Sequence, residues 1–334
     1  MSATQYDTLD NPSLHALAAA AMAQYPAAYQ GQLSLLCRSE NATFLVKAGA
    51  RRYALRLHRG GYHRKQDIES ELDWLAALTE AGMAVPQAIL SEEGERVLTL
   101  AVPAQTPRHA VLFHWIEGVM PTSAVDPKAF GQLGAITAKL HQHARQWQKP
   151  PAFSRILWDH STMVSDQAHW GRWQDAVNLQ KADWPVIEAA LARIESELAD
   201  YGKASDRFGL IHADLRLTNL LLHQGQTRVI DFDDCGFGWY MHDLAAALSF
   251  EEHQPNARYW VEAWLEGYQQ HASISDADIA ILPSLIAQRR IQMLAWTGSH
   301  ADTEQTRSLG PDWALHSLRL LRRYLEQAQL PVGC

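Results

Sequence analysis

Cysteine is scarce in this chain. Three are present in 334 residues, Cys37, Cys235 and Cys334, too far apart to form a metal-binding pattern. An odd, sparse set offers no disulfide framework and suits a reducing compartment, so a cytoplasmic location is expected. Long apolar runs are missing as well. The stretch from Leu14 to Ala23 is interrupted by His15 and is far shorter than the about 20 apolar residues that span a bilayer. An amphipathic helix packed on a small lobe is expected there. The opening residues lack the basic cluster of a secretion signal. Basic excess is absent too: 29 Lys and Arg stand against 37 Asp and Glu, a net charge of −8. Such a chain has no general affinity for nucleic acid or anionic membrane. No internal repeat or low-complexity tract points to a solenoid or a long disordered tail. With 47% apolar residues, the chain is long enough for a large core and two lobes.

What is present is concentrated between Phe208 and Gly236. Two apolar runs, Leu220 to Leu222 and Arg228 to Phe232, flank the turn-forming Gln224-Gly225-Gln226, which is the pattern of a β-hairpin. The loop before the hairpin carries His212-Ala213-Asp214 and, five residues past the aspartate, Asn219; Asp231 closes the second run. Phosphoryl transfer from ATP needs such a set: a carboxylate to orient the attacking hydroxyl, and an amide oxygen plus a second carboxylate to hold Mg²⁺. An isolated H-x-D is a weak signal. Four positions in register with the right local structure form a strong one.

On these residues the chain resembles the aminoglycoside phosphotransferase and choline kinase family, and within it the type II homoserine kinases and bacterial stress-response kinases. The Asp243-Leu244-Ala245 triplet fits the same resemblance. The resemblance implies Asp214 as catalytic base, Asn219 and Asp231 as Mg²⁺ ligands, and His212 as a scaffold for the loop. It also implies an α+β, bilobal protein-kinase-like fold with a small β-rich lobe over 1–117 and a larger, mainly helical lobe over 118–334.

A glycine-rich phosphate loop is missing. Strand-like runs at Leu33 to Cys37, Thr43 to Val46 and Arg52 to Leu57 suggest a small sheet, but Arg38 to Ala42 between the first two contains no glycine. Ser39-Glu40-Asn41 resembles the polar turn that antibiotic kinases use there, making Ser39 and Asn41 candidates for nucleotide contact; a purely structural turn reads equally well. The usual strand lysine is missing too. Ala54-Leu55-Arg56 stands where A-x-K is expected, so Arg56 is the candidate for the α- and β-phosphates. A surface arginine paired to a carboxylate is the alternative. A helix over Gln66 to Ala81 offers Glu71 as partner to Arg56, with Glu69 as fallback. The strand from Ala110 to Gly118 reads as the hinge, where the His114 carbonyl and Ile116 amide would meet adenine.

Downstream, helical rhythm recurs over Asp126 to Trp147, Pro185 to Tyr201, Ala257 to Gln270, Asp276 to Trp296 and Trp313 to Gln329. Gly134 and His141 read as packing residues. Trp158, Trp170, Trp173 and Trp184 suit either an acceptor wall or core packing. Arg216 is placed to meet the transferred phosphate. Asp233 and Asp234 are substrate candidates, for a cationic acceptor or in support of the metal, with turn capping as the alternative; Asp243 reads as an N-cap and loop brace. The expected activity is Mg²⁺- and ATP-dependent phosphorylation of a small-molecule hydroxyl, with homoserine-, choline- and aminoglycoside-like acceptors all open. A serine/threonine protein kinase with a protein substrate is the second reading, and a catalytically silent nucleotide-binding module the third.

Overall fold

The computed structural model describes residues 9–38, 40–121, 127–327 and 330–333. Its amino-terminal region is an antiparallel sheet built from β1 (Gln32–Arg38), β2 (Ala42–Ala48), β3 (Arg51–Leu57), β4 (Ala88–Ile89), β5 (Leu98–Leu100) and β6 (Arg108–His114). The order is β1-β2-β3-β6-β4, with β5 also pairing β6. Alternation decides which side chain faces which layer. Tyr53, Leu55 and Leu57 of β3 turn toward α1 (Asn11–Met22), packing with Leu14, Ala18 and Phe44. Ala54 and Arg56 turn the other way, toward α2 (Lys65–Glu80) and the cleft. Strand β3 is fixed on both sides, with Arg56 opposite Thr43 of β2 and Val111 of β6. Ile68, Leu72, Leu75 and Leu78 of α2 enter a core continuous with the carboxy-terminal region.

That region is mainly helical: α3 (Pro127–Gln146), α4 (His160–Val164), α5 (Trp184–Tyr201), α6 (His242–Ala247), α7 (Ala257–Gln269), α8 (Asp276–Ser299), α9 (Glu304–Ser308) and α10 (Trp313–Gln327). Strands β7 (Ile156–Trp158), β8 (Phe208–Ile211) and β11 (Gly236–Trp239) form a small sheet ordered β7-β11-β8, and β9 (Leu220–His223) pairs with β10 (Gln226–Val229). The mixed architecture, sheet first and helices after, is the expected α+β arrangement. Among the described residues no helix is long and apolar enough to cross a membrane.

Two details differ from the sequence expectation. The hairpin turn has two central residues, Gln224 and Gly225, with φ of 48° and 77°, the left-handed pair that matches strand twist. Its second strand stops at Val229, because Asp231 takes a φ of 63° and leaves the ladder. Helix α8 is buried on all sides from Ile281 to Thr297, so its polar residues Gln288, Arg289, Arg290 and Gln292 need partners inside the protein. Helices α3 and α7 approach through glycine: a Cβ at Gly134 would lie 2.0 Å from the Trp264 carbonyl oxygen. Backbone cannot yield as a side chain can. Gly134→Val is therefore expected to lower stability by about 1–3 kcal/mol through overpacking, measured by urea unfolding; an unchanged midpoint would show that the helices separate freely.

Candidate active site

Strand β8 delivers the chain to a sharp turn at Ala213, φ 67°. Asp243, in the first turn of α6, braces it. Its carboxylate accepts from the backbone N–H of His212 at 3.2 Å and of Ala213 at 2.7 Å, and from His141 Nε2 at 2.9 Å. Burial alone raises an acid, yet the His141 hydrogen bond and charge hold Asp243 below the ordinary carboxylate range. The expected brace is present, but the N-cap position belongs to Met241. His141 is thus a hydrogen-bonding member of the support as well as a packing residue. His212 is fully buried; Nε2 donates to the Ile230 carbonyl at 3.2 Å and Nδ1 accepts from the Asp214 backbone N–H at 3.4 Å. It ties the loop to the strand leading to Asp231.

Asp214 projects from this loop into a cavity of about 620 Å³ that runs from the hinge to helix α8. Its Oδ1 lies 2.6 Å from Arg289 Nη2 and 3.3 Å from Arg216 Nε. Its Oδ2 has only long contacts, 3.4 Å to Arg216 and 3.4 Å to Asn219. Arg289 is 1% exposed and fixed by Ser249 Oγ at 2.8 Å and Gln292 Oε1 at 3.0 Å. The sequence reading missed it. Two consecutive arginines inside an otherwise apolar helical rhythm were the available signal, since a buried guanidinium requires a partner.

Asn219 donates from Nδ2 to the Asp214 carbonyl at 2.8 Å, and among the described residues its Oδ1 has no hydrogen-bond donor. Asp231 lines the same cavity and is open to it. The enclosing protein and the charges of Asp233 and Asp214 push its carboxyl up to about 7, against the pull of Arg56. Anionic crowding of this kind is relieved by a cation. Among the described residues no group of three or more His, Cys, Asp or Glu side chains is placed to hold a metal alone.

At the sheet, Arg56 Nη2 meets both oxygens of Glu71, at 2.8 and 2.7 Å, so the surface-arginine alternative is set aside: both side chains are buried. Glu69 instead pairs with Arg96 at 2.9 Å. Arg56 also donates from Nε to His58 Nε2 at 3.3 Å, and His58 turns Nδ1 to Asp233 at 3.1 Å. Asp233, a substrate candidate from sequence, lines the cavity and is also bound to the protein. Its carboxylate takes the Asn41 amide at 2.8 Å and lies 4.0 Å from Arg56. Against the burial that raises it, His63, His58 and Arg56 hold Asp233 well below the ordinary range. It ties the loop after β10 to the sheet. Asn41 lines the cavity as well; its Oδ1 accepts from the Arg59 backbone N–H at 3.1 Å and its amide goes to Asp233. Ser39 lies outside the described residues.

Glu40, from the same glycine-free turn, reaches across the cavity. It accepts from Trp296 Nε1 at 2.6 Å and lies 2.9 Å from His300 Nε2 and 3.2 Å from Arg59 Nη1. Sheet and α8 are thereby joined over the end of the cavity farthest from the hinge. Trp170, Trp296, Phe250 and Asp234 line that end. Of the four tryptophans weighed from sequence, only Trp170 lines the cavity; Trp158 donates to the Asp234 carbonyl at 2.7 Å, and Trp173 packs edge-on against Trp184. At the opposite end, His114 and Ile116 line the cavity beside Ala54 and Phe113.

A phosphotransferase enzyme family model matches residues 38–279. Among solved structures, the chain is 41% identical to a microcompartment-associated aminopropanol kinase, covering 95% of this chain and 99% of that one with a TM-score of 0.87. An amicoumacin kinase in complex with AMP-PNP, Ca²⁺ and Ami shares the fold at 23% identity, covering 97% and 95% of the two chains with a TM-score of 0.75. A homoserine kinase of Gluconobacter oxydans is 26% identical over 290 residues, 80% of this chain and 83% of that protein. A family match over most of the chain, on a sheet-then-helix fold that brings Asp214, Asn219 and Asp231 to one cavity, leaves one assignment: the chain belongs to the phosphotransferase enzyme family and is an ATP-dependent kinase of a small-molecule hydroxyl.

Proposed function

We propose that this protein transfers the γ-phosphate of ATP, held with Mg²⁺, to the hydroxyl of a small amino alcohol. One observation carries the reading: Asp214, Asn219 and Asp231 meet in a cavity whose far end is aromatic, acidic and roofed by Glu40. The 41% identity to an aminopropanol kinase supports the acceptor class. In this reading residues 1–117 hold the nucleotide and 118–334 supply the reacting groups. Arg56, oriented by Glu71, meets the phosphates, and the His114 carbonyl with the Ile116 amide reads the adenine edge. Arg216 answers the charge developing on the transferred group.

Asp214 orients the acceptor hydroxyl through Oδ2 and takes its proton late, while Arg289 fixes Oδ1. Asn219 Oδ1 and the open carboxylate of Asp231 are hard oxygen donors and would hold Mg²⁺. When bound, the ion neutralises phosphate charge. The Glu40 contacts to Trp296 and His300 roof one end of the cavity, which favours a metabolite over a protein substrate. The complete set of Asp214, Asn219 and Asp231 speaks against a silent module. The free thiols of Cys37 and Cys235 fit a cytoplasmic setting.

Asp231→Ala is expected to weaken Mg·ATP at least about 10-fold while sparing metal-free ATP. Calorimetric titration with and without Mg²⁺ measures both, and equal losses would remove Asp231 from the metal.

A further inference from the structure

Asp234 is the carboxylate at the acceptor end that the reaction above leaves unused. It is 8% exposed and lines the cavity. Its Oδ1 accepts from the Tyr62 hydroxyl at 2.7 Å, a neutral donor, and its Oδ2 has no hydrogen-bond partner among the described residues. The other acids at this end all face cations: Glu40 with Arg59 and His300, Asp214 with Arg289 and Arg216. Among the described residues no Lys, Arg or His nitrogen comes within 4.0 Å of Asp234. Its position is nevertheless rigid. Trp158 holds its carbonyl at 2.7 Å, and Arg155 Nε holds the next carbonyl, of Cys235, at 2.6 Å. A fixed, nearly buried carboxylate with one vacant oxygen and no cation is poorly placed unless a cation arrives with the ligand.

The aromatic walls narrow what that cation is. Arg289 lies over the Trp170 ring at 4.9 Å, and His300 stacks on Trp296 at 4.4 Å and 10°. Phe250 is held edgewise between Trp296 and Trp313, at 5.4 and 5.9 Å. One face of each tryptophan is therefore already covered. A trimethylammonium group has no N–H and relies on open ring faces. A primary ammonium carries three donors and forms a short charge-assisted bond to a carboxylate.

We propose that Asp234 receives the ammonium group of the acceptor on Oδ2, so that the site selects primary amino alcohols over both quaternary ones and uncharged diols. This rests on the amino alcohol reading and assigns its specificity to one residue. The test uses the full chain with 1-aminopropan-2-ol, propane-1,2-diol and choline. Calorimetry in the presence of Mg·ADP gives affinities, and ATP turnover gives kcat/KM. The wild type is expected to favour the amine by about 100-fold or more over either rival. Asp234→Asn, which keeps an acceptor for Tyr62, is expected to lose that preference through KM while retaining Mg·ATP affinity, the check on folding. Asp234→Glu, which keeps the charge, is expected to recover part of it. An Asp234→Asn protein that still prefers the amine, or a wild type that binds choline as well as the amine, overturns the assignment. A wild type that turns over none of the three overturns the proposed function instead, and the calorimetric comparison of amine binding to wild type and Asp234→Asn still decides the role of Asp234.

Discussion

Asp214→Asn is expected to lower kcat by about 10²–10⁴-fold, with Mg·ATP affinity nearly intact. The carboxylate sits at the meeting point of three polar groups. Arg289 anchors Oδ1 from the buried middle of α8, Arg216 stands alongside, and the Asn219 amide fixes the loop carbonyl. Oδ2, held only by two long contacts of 3.4 Å, is the oxygen left for the acceptor hydroxyl. An amide there keeps the size and removes the proton acceptor, so the chemical step suffers while substrate binding does not. Rapid-quench measurement of phosphoryl transfer, beside equilibrium binding of the nucleotide, separates the two. Turnover equal to that of the wild type would end the assignment of Asp214 as base. A parallel loss of nucleotide binding would point to collapse of the loop around an unpaired Arg289 instead.

Arg290→Met is expected to lower stability by about 3–5 kcal/mol at neutral pH. Arg290 and Glu252 form an ion pair with side chains 1% and 0% exposed. The guanidinium also donates to Ser317 Oγ at 2.8 Å and the Trp313 carbonyl at 3.2 Å, and lies 3.8 Å over the Trp313 ring. Burial raises the Glu252 carboxyl above its ordinary value even with Arg290 beside it. Without the arginine that value rises further. A carboxyl raised in the folded state contributes stability that is complete below its unfolded pKa and is lost as pH climbs through the folded one. The deficit of the variant is therefore expected to be largest at neutral and alkaline pH and to shrink on acidification. Urea unfolding at several pH values measures it. A loss under about 1 kcal/mol that is flat with pH would show that Glu252 finds water or another partner. Because Phe250, in the acceptor wall at φ 75°, is two residues from Glu252, the KM for the acceptor is expected to rise as well.

The readings that succeeded rested on local pattern. Alternation in β3 separated Arg56 from Tyr53 and Leu55, and helical spacing in α2 singled out Glu71, so their pairing was legible before any coordinates. The spacing from His212 to Asp231 likewise indicated one hairpin with its loop. Local pattern gave no view of side chains whose partners lie far along the chain. Asp233 and Asn41 are 192 residues apart and bond to each other, so each looked available for a ligand when viewed alone. Glu40 finds Trp296 and His300 across 256 and 260 residues. Nothing in a polar turn announces such a partner.

By itself the sequence determined the order of elements, the sheet that carries Arg56 and the loop that carries Asp214, Asn219 and Asp231, because periodicity and turn chemistry act over a few residues. Only the tertiary structure decided which acids are satisfied and which are left for a ligand. That depends on burial and on cations brought from distant parts of the chain: Arg289 comes to Asp214, Arg59 and His300 come to Glu40, and among the described residues none comes within 4.0 Å of Asp234.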